Sequence, residues 1–170
     1  MNFLANFRAL LIGLWLGAAC FFSFAVAPSA FAVLENRELA GSIVSRTLMI
    51  VNLSGLAISL LLLLSSFIRR PNLAPIWVWT ERVLLVLLAL ACAVGQFVIA
   101  LWMSFVRQQA GKPLEELAPD DALRIQFNNL HQYSVWLLMG AMIAALVLFF
   151  LIGRKSDKNV VVEDKNEFKF

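Results

Sequence analysis

Residues Val83–Val106 read VLLVLLALACAVGQFVIALWMSFV, a run without a single charged side chain. A helix of roughly 20 apolar residues crosses the ~30 Å hydrocarbon core of a bilayer, so this run is long enough to span a membrane. Three further long apolar runs lie at Ala9–Leu34, Leu48–Phe67 and Val135–Ile152. Four such segments predict an all-α fold, namely an integral membrane four-helix bundle with up-down-up-down spans.

The predicted spans form one transmembrane domain over residues 1–153. We expect them to cover about residues 9–34, 47–68, 81–106 and 128–152. Pro119 is followed by two aspartates, a pattern typical of a helix start. The fourth helix should therefore begin outside the membrane, over about residues 119–128. Residues 154–170 carry too many charged side chains to bury a core, which predicts a charged, solvated tail.

The composition supports a membrane protein and excludes other classes. Hydrophobic residues make up 61% of the chain and charged residues 15%, with a mean hydropathy of +0.82. A soluble domain of this size has too much surface for that ratio. The pI is near 9.2, but the net charge is only +3 and the basic residues cluster at helix ends, so no nucleic-acid partner is expected.

The basic residues orient the bundle through the positive-inside rule. One set of segments carries Arg8, Arg69, Arg70, Arg82, Arg154, Lys155 and Lys158. The opposite set carries Arg37, Arg46, Arg107, Lys112 and Arg124. The larger set predicts the cytoplasmic side, so we expect both termini and the second loop in the cytoplasm of a bacterial-type plasma membrane, the inner membrane.

The amino-terminal run also fits a cleaved signal peptide. Arg8 would be its basic region, Leu10–Ala27 its apolar region, and Ala30-Phe31-Ala32 an A-x-A cleavage site. Against cleavage, the apolar run exceeds the usual 7–15 residues of such a region. We expect the first helix to remain in the mature protein.

Small residues in the first run point to close helix packing. Gly13 and Gly17 stand four apart, a spacing that lets a neighbouring backbone approach in lipid. Packing within the same bundle is the first interpretation, and a homodimer seam is the second. Pro28 lies near the outer end of the run and should kink or end the first helix there.

A polar face at the head of the fourth helix is the candidate functional cluster. Arg124, Asn128 and His131 stand at i, i+4 and i+7, so they share one helical face. We expect that face to turn inward and to bury His131, because polar groups within a span usually face the bundle interior. The predicted topology brings other polar, sulfur-containing and proline residues to the same outer level. They are Pro28, Arg46, Met49, Asn52 and Met103.

The cysteines do not complete a metal site with this cluster. Cys20 and Cys92 lie near mid-membrane, about ten residues of helical rise, or ~15 Å, from the level of His131. We expect them to be small packing residues. No metal site and no cofactor is predicted, although one histidine could serve as an axial haem ligand.

Several short motifs together resemble those of the transmembrane protein 205-like family. Those of the first helix and outer loop are Trp15-Leu16-Gly17, Phe21-Phe22-x-Phe24, Ala27-Pro28-x-x-Phe31-x-x-Leu34 and Ala40-Gly41; that of the last helix is Phe127-Asn128-x-Leu130-His131-x-x-Ser134. The resemblance implies a four-span layout with an uncleaved first helix. The family is similar in layout to copper-resistance D proteins and to a haem-associated protoporphyrinogen oxidase family.

No catalytic constellation occurs in the sequence, and no catalytic residue is assigned. The leading interpretation is a non-enzymatic scaffold, accessory subunit, or protein that binds a hydrophobic ligand or a partner helix. Copper or haem handling around His131 is the alternative, and a membrane oxidoreductase is the third. The expected partners are the lipid bilayer and other membrane subunits, or a second copy bound through Gly13 and Gly17.

Overall fold

A computed structural model describes residues 3–67 and 75–167, and within these ranges the chain is helical without a strand. The elements are α1 (Phe3–Phe21), a first π-helical turn (Phe22–Val26), α2 (Ala27–Val33), α3 (Arg37–Ser66), α4 (Pro75–Val94), a second π-helical turn (Gly95–Ala100), α5 (Leu101–Ala110), a short 3-10 helix (Leu114–Glu116) and α6 (Ala122–Glu167).

Four helical stretches are long and apolar enough to cross a membrane. They are Asn6–Val33, Arg37–Ser66, Ile76–Ala110 and Ala122–Gly153, here termed the first to fourth spans. The predicted class, an all-α four-helix membrane bundle, is confirmed.

Each span buries one narrow seam. In the first span the buried positions follow alternating steps of four and three: Arg8, Ile12, Trp15, Ala19 and Phe22. The third span repeats the pattern with Glu81, Leu85, Leu88, Cys92, Gly95 and Ile99. This spacing keeps one stripe of each helix against its neighbours, as in left-handed helix bundles. Many of the remaining apolar side chains are exposed, which suits a surface that faces lipid rather than water.

The spans pack into a closed ring. The first span contacts the second and fourth, and the third also contacts the second and fourth. A large core contains Ile12, Trp15, Leu88 and other residues of all four spans. A smaller core joins Ile99, Val106 and Leu130 near the start of the fourth span.

Side-chain caps set the helix starts. The Asn36 side-chain oxygen accepts hydrogen bonds from the backbone N–H groups of Glu38 and Leu39 at 2.9 and 3.0 Å. An Asp121 carboxylate oxygen accepts one from the Leu123 N–H at 2.8 Å. These are N-caps that satisfy free backbone donors. The fourth span therefore starts at Ala122, a few residues after the start predicted near Pro119.

Pro28 does not end the first helix. The chain passes from α1 through a π-helical turn into α2, which contains Pro28 and runs on to Val33. A proline lacks the N–H for an α-helical hydrogen bond, and its ring crowds the carbonyl four residues earlier. The wider turn just before Pro28 relieves that conflict, so the helix continues.

The backbone of the predicted tail is helical as far as Glu167. Helix α6 runs from Ala122 to Glu167 without a break, so it passes the predicted domain limit at residue 153. Composition argued only that this segment cannot form its own core. A helix that is already nucleated needs no core to extend, because each added residue gains one hydrogen bond.

Candidate functional site

Trp15 locks the first span to the second in the middle of the bundle. Its side chain is 2% exposed, and its indole N–H donates a hydrogen bond to the carbonyl oxygen of Val51 at 2.9 Å. Gly55 makes the contact possible. A Cβ atom at Gly55 would lie 2.5 Å from the Trp15 nitrogen and 2.7 Å from the Cys92 sulfur. Three spans thus meet at one glycine.

Asn52 lies one helical turn from this junction and is buried. The third span approaches it at Gly95, where an added Cβ would lie 3.2 Å from the Asn52 amide nitrogen. Gly95 also begins the second π-helical turn. Asn52 therefore belongs to an interface of the second and third spans.

A buried ion pair joins the first and third spans. One guanidinium nitrogen of Arg8 donates to a carboxylate oxygen of Glu81, and another donates to the Ser65 hydroxyl. The Arg8 and Glu81 residues are 1% and 2% exposed. A charge buried among helices is tolerated when it is paired and hydrogen-bonded. This cluster therefore holds the starts of two spans against the end of a third.

Arg82 reinforces the same end of the second span. Its guanidinium donates to the Ser66 hydroxyl at 3.2 Å and to the Ser66 carbonyl oxygen at 2.9 Å. It also stacks over the Phe67 ring, 4.5 Å from the ring centroid. The last carbonyls of a helix lack partners within the helix and carry partial negative charge, so a cation is favourable there.

The ion pair is not predicted from the sequence. Arg8 and Arg82 were expected to orient the bundle, and Glu81 was expected to have no particular role. The signal was nevertheless present, since Arg8 precedes Ile12 and Glu81 precedes Leu85 by four residues on the seams described above. Opposite charges on two buried seams must pair, because an isolated charge there is costly.

The predicted outer cluster does not assemble as expected. Asn128 and His131 are exposed, as are Arg46 and Pro28. The physical reason lies in the neighbouring leucine. Leu130 is 8% exposed and packs with Ile99 and Val106, so Leu130 rather than the adjacent His131 takes the buried position.

The other members of that cluster have structural contacts. Arg124 donates a hydrogen bond to the Leu117 carbonyl oxygen at 2.8 Å, which ties the third loop to the fourth span. Met103 packs partly buried against the smaller core, and Met49 is half-buried in the second span. Arg107 stacks over the Phe127 ring, with 4.9 Å between its guanidinium carbon and the ring centroid.

The two glycines of the first span have different surroundings. An added Cβ at Gly13 would lie 3.2 Å from a ring carbon of Phe149, so Gly13 does pack against the fourth span. An added Cβ at Gly17 would have no atom within 4 Å, and Gly17 is exposed. The prediction that Gly17 packs within this bundle is therefore wrong. Its place on the helix points away from the four-span ring.

Both cysteines are free thiols. Cys92 is buried against Gly55, and Cys20 is half-buried with its sulfur 3.9 Å from the Met142 sulfur. Across the described residues, no group of three or more histidine, cysteine, aspartate or glutamate side chains could hold a metal ion. The packing role expected of the cysteines agrees with these contacts.

The fold and these interior contacts define a multi-pass helical membrane protein. Residues 10–112 match the family described as "Domain of unknown function (DUF4149)". The match covers more than half of the chain, and the chain belongs to this family. It takes in most of the first span and all of the second and third, and it ends before the fourth.

No curated protein and no solved structure matches the chain. The family match does not confirm the finer resemblance to the transmembrane protein 205-like family or to copper-resistance D proteins. It stops before Leu130 and His131, so it leaves the motif of the last helix untested.

Proposed function

We propose that this protein is a non-enzymatic membrane scaffold or accessory subunit that binds a transmembrane helix of a partner protein. The small size of the cavity between the second, third and fourth spans is the observation that carries the proposal. The cavity between the second, third and fourth spans measures about 10 Å³. Pockets for small-molecule substrates usually measure ~300–1,000 Å³. A bundle packed this tightly offers its surface to partners.

Gly17 is the best place on that surface for a partner helix. It lies in the membrane-spanning part of the first span, it is exposed, and its Cβ position is open. Helices associate in lipid where small residues let two backbones approach closely. Neighbouring exposed side chains, Leu14 and Phe21, would pack around the contact.

The experiment compares Gly17→Leu with the wild type by chemical cross-linking in native membranes, followed by mass spectrometry of the adducts. We expect the wild type to form a specific adduct and Gly17→Leu to lose it, with unchanged thermal stability of the purified protein. Gly140→Leu is the matched control, because Gly140 is also exposed with open space around it. An adduct that persists in Gly17→Leu rejects this surface, and an adduct of twice the chain mass identifies a homodimer.

Copper or haem handling, and a membrane oxidoreductase reaction, are the competing functions. Absorbance of the purified protein near the haem Soret band, with elemental analysis for copper, separates them from a scaffold. A stoichiometric cofactor that disappears in His131→Ala would replace the scaffold proposal.

We also propose that the spans alternate in direction, with both termini in the cytoplasm of a bacterial inner membrane. The contact of Arg8 with Ser65 and Glu81 supports alternation, because it joins the start of the first span, the end of the second and the start of the third. The contact of Gly13 with Phe149 brings the end of the fourth span toward the same side. The excess of basic residues on that side supports the cytoplasmic assignment.

A further inference from the structure

The cavity between the second, third and fourth spans has two polar side chains, those of Asn52 and Ser134, in a mostly apolar lining. Asn52 of the second span and Ser134 of the fourth line it, together with Cys92 and Gly95 of the third. Its volume of about 10 Å³ lies at the lower limit of the ~10–15 Å³ that one water molecule occupies. The size excludes an organic ligand.

The Asn52 side chain has hydrogen-bonding capacity that the protein leaves unused. The residue is 5% exposed, so it is more than nine-tenths buried. Its amide offers two N–H donors and an oxygen with two lone pairs. Among the described side chains and backbone groups of residues 6–67 and 76–153, none forms a hydrogen bond with this amide. Buried amides in native proteins almost always have a partner, and ordered water is the usual one when protein is not.

Ser134 shows the same deficit on the opposite wall. Serines in these spans normally bond back to their own helix: the hydroxyls of Ser54 and Ser59 donate to the carbonyl oxygens of Val51 and Leu56 at 3.0 and 2.9 Å. Ser134 is half-buried and makes no such bond to any part of the chain that the structure describes. Lipid offers a hydroxyl no partner, so the cavity is where it can find one.

Gly95 explains why there is room between the two polar groups. The second π-helical turn begins at this residue, and an added Cβ would come within 3.2 Å of the Asn52 amide nitrogen and 3.6 Å of a Leu137 methyl carbon. A larger residue would close the space. π-helical turns often occur at functional sites, where they displace the helix locally.

We propose that this cavity binds one ordered water molecule, which is hydrogen-bonded to the Asn52 amide and the Ser134 hydroxyl. The water then links the second span to the fourth beside the backbone of the third. Buried waters make about three hydrogen bonds to polar groups that otherwise lack partners, and the cavity offers those groups. The site is independent of the proposed partner surface at Gly17.

Magnetic resonance with water-selective excitation tests the site directly. The full chain is labelled with ¹⁵N-asparagine and placed in nanodiscs of deuterated lipid. We expect a water cross-peak to the Asn52 side-chain amide, identified by its disappearance in Asn52→Leu. Ser134→Ala should weaken or remove the cross-peak. Ser59→Ala is the matched control, because Ser59 is buried but bonded to Leu56, and it should leave the cross-peak unchanged.

The unfolding temperature provides a second readout. If one water bridges both groups, the changes in unfolding temperature caused by Asn52→Leu and by Ser134→Ala will not add in the double variant. In the control double variant, the changes in unfolding temperature caused by Asn52→Leu and by Ser59→Ala should add. A folded wild type without the Asn52–water cross-peak overturns the proposal, and so do additive shifts for Asn52→Leu with Ser134→Ala. If Asn52→Leu does not fold, Ser134→Ala provides the test. Loss of the cross-peak in that variant supports the proposal, and retention of the cross-peak contradicts it.

Discussion

At the residue scale, the bundle depends on a few positions where one helix backbone meets a large side chain of another. Gly55 is the clearest example, since it faces both the Trp15 indole and the Cys92 sulfur. The indole N–H reaches the Val51 carbonyl oxygen only because nothing projects from Gly55. Gly17 is also a glycine of a membrane-spanning helix, but no atom lies within 4 Å of its Cβ position. Residue identity alone therefore does not tell a packing glycine from an open one.

The first prediction is that Gly55→Ala destabilises the protein. The added methyl group would lie 2.5 Å from the Trp15 nitrogen and 2.7 Å from the Cys92 sulfur, so both spans must shift. Overpacking of this kind costs roughly 1–3 kcal/mol. The measurement is the free energy of unfolding in mixed micelles. Gly17→Ala, whose methyl group meets no atom, is the control and should match the wild type. Equal stability of the two variants would contradict the contacts described for Gly55.

At the element scale, the Arg8–Glu81 pair fixes the first span against the third. Both charged side chains lie on buried seams that are otherwise mostly apolar. A hydrocarbon side chain at either position would pack without a polar partner, whereas a charge needs one. The pair makes the two spans interdependent, since either charge without the other would be buried and uncompensated. Ser65 extends the dependence to the end of the second span.

The second prediction concerns this pair. Arg8→Met should destabilise the bundle by roughly 3–5 kcal/mol, because it leaves the Glu81 carboxylate buried beside an apolar side chain. The double variant Arg8→Met with Glu81→Leu should recover much of that loss, since no charge then remains to be compensated. Unfolding in mixed micelles measures both. A double variant as unstable as the sum of the singles would show that the two side chains are not coupled.

The third prediction is that the first span remains in the mature protein. Cleavage after Ala32 would remove Arg8, Trp15 and the rest of a buried seam, and would leave Glu81 without its cation. Intact-mass measurement of protein purified from membranes should give a chain that includes the first span. A mass that corresponds to a start at Val33 would refute both the retention and the importance of the ion pair.

At the scale of the whole molecule, the four spans form a ring in which each packs mainly against two others, and the Arg8–Glu81 pair joins the first span to the third. Polar contacts lie at both ends of the bundle. The Arg8–Glu81 pair joins the first and third spans at one end. Near the other end, Arg124 of the fourth span binds the third loop, and Arg107 of the third span stacks on Phe127 of the fourth. The large core runs between them.

The fourth prediction is the topology. Reporter fusions at Asn72 and after Asp157 should be active only in the cytoplasm, and a fusion at Lys112 only on the outside. The physical reason is the excess of basic residues on the segments assigned to the cytoplasm. The enzymatic reporters are paired so that each is active on one side only. An outward signal at Asn72 would invert the assignment and, with it, the membrane side of the Arg8–Glu81 cluster.

The sequence alone determined the class of protein. Hydropathy acts along the chain, and roughly 20 consecutive apolar residues have few alternatives to crossing a bilayer. Asn52 is buried in the bundle, as the general preference of polar side chains within a span for the interior would favour. The same reasoning failed for His131 near the head of the fourth helix, where water and headgroups make exposure inexpensive.

Only the tertiary structure decided which face of each helix turns inward. Leu130 rather than His131 took the buried position, because Ile99 and Val106 lay opposite it. Gly13 met Phe149 while Gly17 met nothing, although both belong to one motif. Arg8 and Glu81 are 73 residues apart in sequence, so their pairing required the packed arrangement of the spans. Which helix face turns inward, and which charged side chains pair, depend on neighbours from distant parts of the chain. Local hydropathy contains no information about those neighbours.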